Sequence, residues 1–232
     1  MQLIEVTDFG IRSAAIWLQR RETPLRFVLF PMLHLGSASF HADVTRRLAA
    51  CQVIVTEGVT GRSAVLTALT AVYRIPGRYR GDLMAQDLDL GSSGAAVIRP
   101  DVDAAGFNAG WRRVPIALRL TVLVLAPLVG IWLTLVGPTA AFSRVLTMDD
   151  LPTREETDLL FGAAEKFEDV VGRSRDALLL RCLDEIHQSR SNEAIDVGIV
   201  YGAQHMRSVV HYLGARYRYW AKDAEWMTVL TF

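Results

Sequence analysis

The chain is short of several things that would give its role away. It has no excess charge of either sign: 25 basic side chains face 25 acidic ones in 232 residues. No overall field therefore draws in nucleic acid, and the small basic cluster of Arg112, Arg113 and Arg119 is too limited to make a phosphate-binding surface. Two cysteines, Cys51 and Cys182, are too few for a disulfide framework. Both lie in apolar settings that predict buried, inert thiols. The first residues, Met-Gln-Leu-Ile-Glu-Val-Thr-Asp, lack the basic and apolar regions of a secretory signal, so a cytoplasmic location is expected. No Gly-x-Ser-x-Gly elbow is present, which argues against serine-hydrolase chemistry. Gly91-Ser92-Ser93-Gly94 lacks the lysine of a phosphate loop. His187 does not complete a His-Glu-x-x-His motif. No internal repeat stands out.

What remains is a set of short apolar runs, each closed by Gly or Pro and rich in β-branched residues. Residues 2–31 read as two or three strands with turns at Asp8-Phe9-Gly10 and Glu22-Thr23-Pro24. A helix follows over 37–50, capped by Ser37 or Ser39, then a strand over 51–56 and a helix over 63–73. This alternation predicts an α/β fold with a central, mainly parallel sheet flanked by helices. Residues 77–113, rich in Gly, Asp and Pro, resist assignment. Towards the end, a long amphipathic helix is expected over 161–186, preceded by a capping box at Thr153 and Glu156. A strand over 196–201, a helix over 203–213 and a closing strand over 226–230 complete one domain spanning 1–232.

Residues 120–143 carry no charged side chain and sit between Arg119 and Arg144. The apolar helical segment over 114–144 is either buried in protein or in contact with a membrane. Pro127, Gly130, Gly137 and Pro138 are expected to interrupt it. A single complete crossing would place His34 and Glu57 on one side and His205 on the other.

His34, Glu57 and His205 are the candidate functional residues. Each lies just beyond an apolar run. In an open α/β sheet, groups past the carboxyl ends of parallel strands converge on one crevice. Glu57 follows apolar and β-branched residues, so a metal ion or an arginine is expected to offset its charge. Two imidazoles and one carboxylate can hold a catalytic metal with open positions, and the donor set suits zinc, manganese, cobalt or iron. Either side chain type can also serve as a base. Arg175, on the long helix, either pairs with carboxylates or binds a substrate carboxylate or oxyanion. His41, His187 and His211 read as surface or helix-packing residues. The pairs Asp87/Asp89 and Asp101/Asp103 read as turn formers.

These motifs resemble the TraB/PrgY/GumN family of the TIKI-like superfamily, whose relatives include the ChaN (EreA/ChaN-like) fold and the erythromycin esterases. The resemblance rests on His34-Leu35-Gly36-Ser37 with Phe40, on Thr56-Glu57-Gly58-Val59, and on Tyr201-Gly202-Ala203-Gln204-His205-Met206, the last a Gly-x-x-His. The Arg175-Asp176 pair and the ending from Gly214 to Trp226 extend it, whereas residues 75–145 have no counterpart. It differs at Pro31, which stands where the family's first motif has glycine. The resemblance implies an EreA/ChaN-like α/β fold and metal-dependent, peptidase-like hydrolysis of a peptide or amide-like substrate. His34, Glu57 and His205 would hold a divalent ion (Mn, Co or Zn), with Glu57 and Arg175 as catalytic residues. Metal-independent ester hydrolysis is the variant suggested by the esterase relatives. A non-catalytic protein that sequesters a peptide or small ligand at a membrane is the rival class. Expected partners are that substrate or ligand, no nucleic acid, a membrane touched through 120–143, and further copies of the chain in a homo-oligomer.

Overall fold

The computed structural model describes residues 1–33, 35–74, 83–86, 88–136 and 173–232, with the side chains of α4 (Ile116–Val136) described at 116–125 and 128. His34, Asp87 and the capping box at Thr153 lie outside the described residues, as does the first part of the helix expected over 161–186.

The N-terminal strands follow the turn signals closely. β1 (Ile4–Thr7) turns at Gly10 into β2 (Gly10–Arg20), which turns again into β3 (Thr23–Met32). Turns this tight can join only antiparallel neighbours, and both pairs are antiparallel. β9 (Trp220–Thr231) runs antiparallel along β2 from Gly10 to Gln19. A strand has two edges, so β9 occupies one while β1 and then β3 share the other. The sheet is thus mixed rather than mainly parallel.

Its second half is parallel. β8 (Asp196–Gly202) lies between β3 and β5 (Val53–Thr56), and β5 pairs in turn with β7 (Ala96–Ile98). A short antiparallel pair, β4 (Leu35–Ser37) with β6 (Leu83–Ala85), stands apart.

Helices cover both faces of the sheet. Alternate residues of β3 point to opposite sides. Phe27 and Leu29 join Val197, Ile199 and Tyr201 of β8 under α5 (Arg173–Arg190) and α6 (Ala203–Tyr217), through Leu179, Leu183, Met206, Val209 and Leu213. Val28 and Phe30 face α1 (Ala38–Leu48), with Phe40, Val44 and Leu48. Each such side chain contributes about 1.5–3 kcal/mol when fully buried. Gly198 of β8 lets α1 come close: a methyl group there would lie 2.8 Å from Leu48 Cδ2 and 3.1 Å from Cys51 Sγ. The Ser37 hydroxyl caps α1 by accepting from Phe40 N–H.

Pro31 sits inside β3, beyond Leu29, the last β3 residue in register with β2. There its missing N–H removes no rung from the β2 ladder. Its carbonyl accepts a 2.6 Å hydrogen bond from the Ser13 hydroxyl.

α2 (Ala64–Arg74) and α3 (Ala104–Arg113) lead to α4, which packs against α2. α4 continues through Pro127 and Gly130 to Val136 instead of breaking at them. A leucine-rich run sustains the helix despite the bond that proline forfeits. Among the described residues, no helix is long and apolar enough to cross a membrane.

Candidate active site

Four parallel strands end along one edge, and Glu57, Arg175 and His205 lie at or beside it. β3 and β8 finish in register at Met32 and Gly202. Glu57 directly follows β5, and Asp101 follows β7 by three residues. α5 then lays its first turn, with Arg175 and Asp176, over this edge. Position 34 is two residues past the end of β3.

Arg175 is the centre of a largely buried ion cluster. Its Nε donates to Asp101 Oδ1 at 2.8 Å, and one Nη donates to Asp101 Oδ2 at 2.6 Å and to Glu57 Oε1 at 2.7 Å. The Asp101 side chain is fully buried, and Glu57 and Arg175 are partly buried. Asp101 also accepts from the backbone N–H groups of Gly58 and Val102. Burial pushes the Asp101 carboxyl up, but the hydrogen bonds and charge of Arg175, with those two N–H groups, outweigh it and hold it below the ordinary range. Burial opposes the charge of Arg175 too, yet the two carboxylates raise its pKa above the ordinary value. The Tyr201 hydroxyl, raised by burial and then by Asp101 and Glu57, donates to Pro100 O at 3.2 Å. That bond ties the loop bearing Asp101 to the end of β8.

The second oxygen of Glu57 accepts from Gly202 N–H at 2.9 Å, at the point where β8 passes into α6. A methyl group on Gly202 would lie 3.4 Å from Glu57 Oε2 and 3.6 Å from His205 Cδ2. The carboxylate and the imidazole therefore flank one backbone carbon. His205, in the first turn of α6, is 3% exposed. Its Nδ1 donates to Asp176 Oδ1 at 2.5 Å, while Asp176 Oδ2 accepts from the Ser208 hydroxyl at 2.7 Å. A carboxylate only accepts, so the neutral ring carries its proton on Nδ1 and leaves Nε2 as the basic nitrogen. Nε2 accepts from the Gln204 amide at 3.2 Å.

Glu57 thus meets Arg175 directly and stands across Gly202 from His205. No family model, curated protein or solved structure matches this chain.

One member of the site escapes sequence reasoning. Asp101 reads as a turn former, with its partner 74 residues away. Asp176 is marked by the Arg175-Asp176 pair on which the resemblance partly rests, whereas its bond to His205 is not. The other candidates separate as expected. His41 packs against the core from α1, and His187 is buried on α5 with Nδ1 3.2 Å from the Tyr219 hydroxyl. His211 is exposed on α6, and Asp103 caps α3 through Gly106 N–H.

Among the described residues, no three His, Cys, Asp or Glu side chains are placed to hold a metal ion. Two donors of the expected set are present, His205 Nε2 and Glu57. The carboxylate of Glu57 is already shared with a guanidinium and a backbone N–H. A cavity of about 470 Å³ lies beside the first turn of α6, lined by Gln2, Leu3, Ile4, Ala203, Gln204 and Arg207 among others. Gln204 belongs both to this cavity and to the environment of His205 Nε2.

Proposed function

We propose that the chain is a hydrolase acting on a peptide, amide-like or ester substrate at the His205–Glu57 crevice. The observation that carries this reading is the Asp176–His205 pair beside Glu57, at the carboxyl ends of parallel strands. Such a pair orients an imidazole and stabilises its protonated form, which is what a general base requires. His205 Nε2 takes a proton from water as the water oxygen attacks the substrate carbonyl carbon. The same nitrogen returns that proton to the leaving amine or alcohol as the carbon–nitrogen or carbon–oxygen bond breaks. Arg175, anchored by Asp101, holds Glu57 in place and supplies positive charge near the developing oxyanion. The cavity that Gln204 lines adjoins the residue that contacts His205 Nε2, and a substrate chain would extend into it.

A divalent ion (Mn, Co or Zn) held by His34, Glu57 and His205 would supply a bound water of lowered pKa and polarise the carbonyl. Two of those donors stand together, which favours carrying this form of the reaction to experiment. As a binding-only protein, the chain would use the same crevice without turnover.

The test is hydrolysis of p-nitrophenyl acetate and of a fluorogenic peptide mixture by wild type, His205→Ala and Glu57→Gln. Circular dichroism confirms that each variant is folded. Loss of turnover in folded variants supports the hydrolase. Ligand retention without turnover in the wild type supports sequestration. Elemental analysis of bound metal, with rates before and after chelation and on adding back Mn, Co or Zn, separates the two hydrolytic forms.

A further inference from the structure

We infer that α4 is an interfacial anchor that embeds in one leaflet of an anionic bilayer without crossing it. This stands on observations remote from the crevice and holds whether or not the crevice hydrolyses anything.

The first observation is an apolar surface with little to cover it. Ile116, Leu120, Leu123, Val124, Leu125 and Leu128 are all exposed. At about 100° per residue they spread over more than half the circumference of the helix. Scattered exposed leucines need no explanation, but a contiguous face of this kind marks a contact surface.

The second is charge. The whole chain is balanced, yet no acidic residue occurs between Asp103 and Asp149. The charges in that stretch are Arg112, Arg113, Arg119 and Arg144, all positive. Arg112 and Arg113 are exposed at the end of α3, and among the described residues neither they nor Arg119 has an ion-pair partner. Arg119 Nε is buried without a hydrogen-bond partner among those residues. Guanidinium groups at the foot of an apolar helix complement lipid phosphates, each contributing about 1 kcal/mol near an anionic surface. A second copy of the chain would bring the same positive charges and repel.

The third observation decides how the helix lies. Glu57 precedes α4 and Arg175 follows it, and they are 2.7 Å apart. A chain that crossed the bilayer at α4 would have to return before Arg175. Between Arg144 and Gly172 the longest stretch without a charged residue is only 159–164. No return span is available, so both ends stay on one side. A helix whose two ends stay on one side can bury its exposed apolar face only in the near leaflet.

The 232-residue chain is sedimented with phosphatidylcholine vesicles and with vesicles that also contain phosphatidylglycerol. The inference predicts binding to the anionic vesicles, weakened by salt, and release from them by alkaline carbonate. Arg112→Gln with Arg113→Gln lowers the affinity about thirtyfold. Leu120→Asp with Val124→Asp abolishes binding while leaving the circular dichroism spectrum unchanged, since all four positions are exposed. Failure of the wild type to bind, equal binding to both vesicle types, or resistance to carbonate would overturn it. So would a dimer in velocity sedimentation that only the Leu120→Asp/Val124→Asp variant dissolves.

Discussion

His205 Nδ1 lies 2.5 Å from Asp176 Oδ1, a contact between the first turns of two helices that meet over the end of the sheet. Ser208 holds the other oxygen of the same carboxylate. The imidazole is thus fixed in one tautomer with Nε2 as the basic nitrogen beside Gln204, and the proposed function depends on that orientation. Asp176→Asn can present its amide N–H to Nδ1 and reverse the tautomer. Hydrolysis should fall about 10²–10⁴-fold with little loss of stability. Steady-state rates beside a urea melt check both parts.

Arg175 and Asp101 form a buried pair in which each satisfies the other. Arg175→Met should destabilise the fold by about 3–5 kcal/mol, because it strands a buried carboxylate. Adding Asp101→Leu should recover a large part of that loss. If the double variant is no more stable than the single one in urea, the coupling drawn from the geometry is absent.

Acid provides an independent view of the same pair. The Asp101 pKa is depressed in the folded chain, so its contribution is fully present above the unfolded value of about 4. It is lost as pH falls from there through the folded value. Wild-type stability should therefore drop below about pH 4, and Asp101→Asn, already destabilised at neutral pH, should lose less over that window. Chemical denaturation across the acid range measures both.

Both cysteines should be unreactive in the native state. Burial pushes the Cys51 thiol up to about 12 and the Cys182 thiol up to about 11. At neutral pH almost no thiolate exists for either. A disulfide-exchange reagent should label neither thiol until denaturant is added, and rapid labelling of the native protein would contradict the packing of Cys51 against Gly198.

Strands buried on both faces were the most readable part of the chain. Val53–Thr56 and Asp196–Gly202 are β-branched runs ended by turn residues, and both fold as strands. The Ser37 cap was equally clear. β9 was underestimated because its first half, Trp220 to Trp226, is exposed and polar, and its pairing with β2 carries no pattern of its own. The antiparallel half of the sheet follows from tight turns that hydrophobic periodicity does not report. At the site, the need of Glu57 for a positive neighbour was legible from its apolar approach, and Arg175 meets it. Asp101 was not legible, since a carboxylate 74 residues from its partner looks like any loop aspartate. α4 shows the converse: proline and glycine signalled a break that a leucine-rich helix overrode.

The most direct test of the central claim is turnover of p-nitrophenyl acetate and the fluorogenic peptides by the wild type against folded His205→Ala and Glu57→Gln. If His205 and Glu57 act in one crevice, each substitution alone brings the rate close to background, and combining them adds almost nothing further. Wild-type turnover that survives both substitutions, or independent losses that multiply in the double variant, would contradict it.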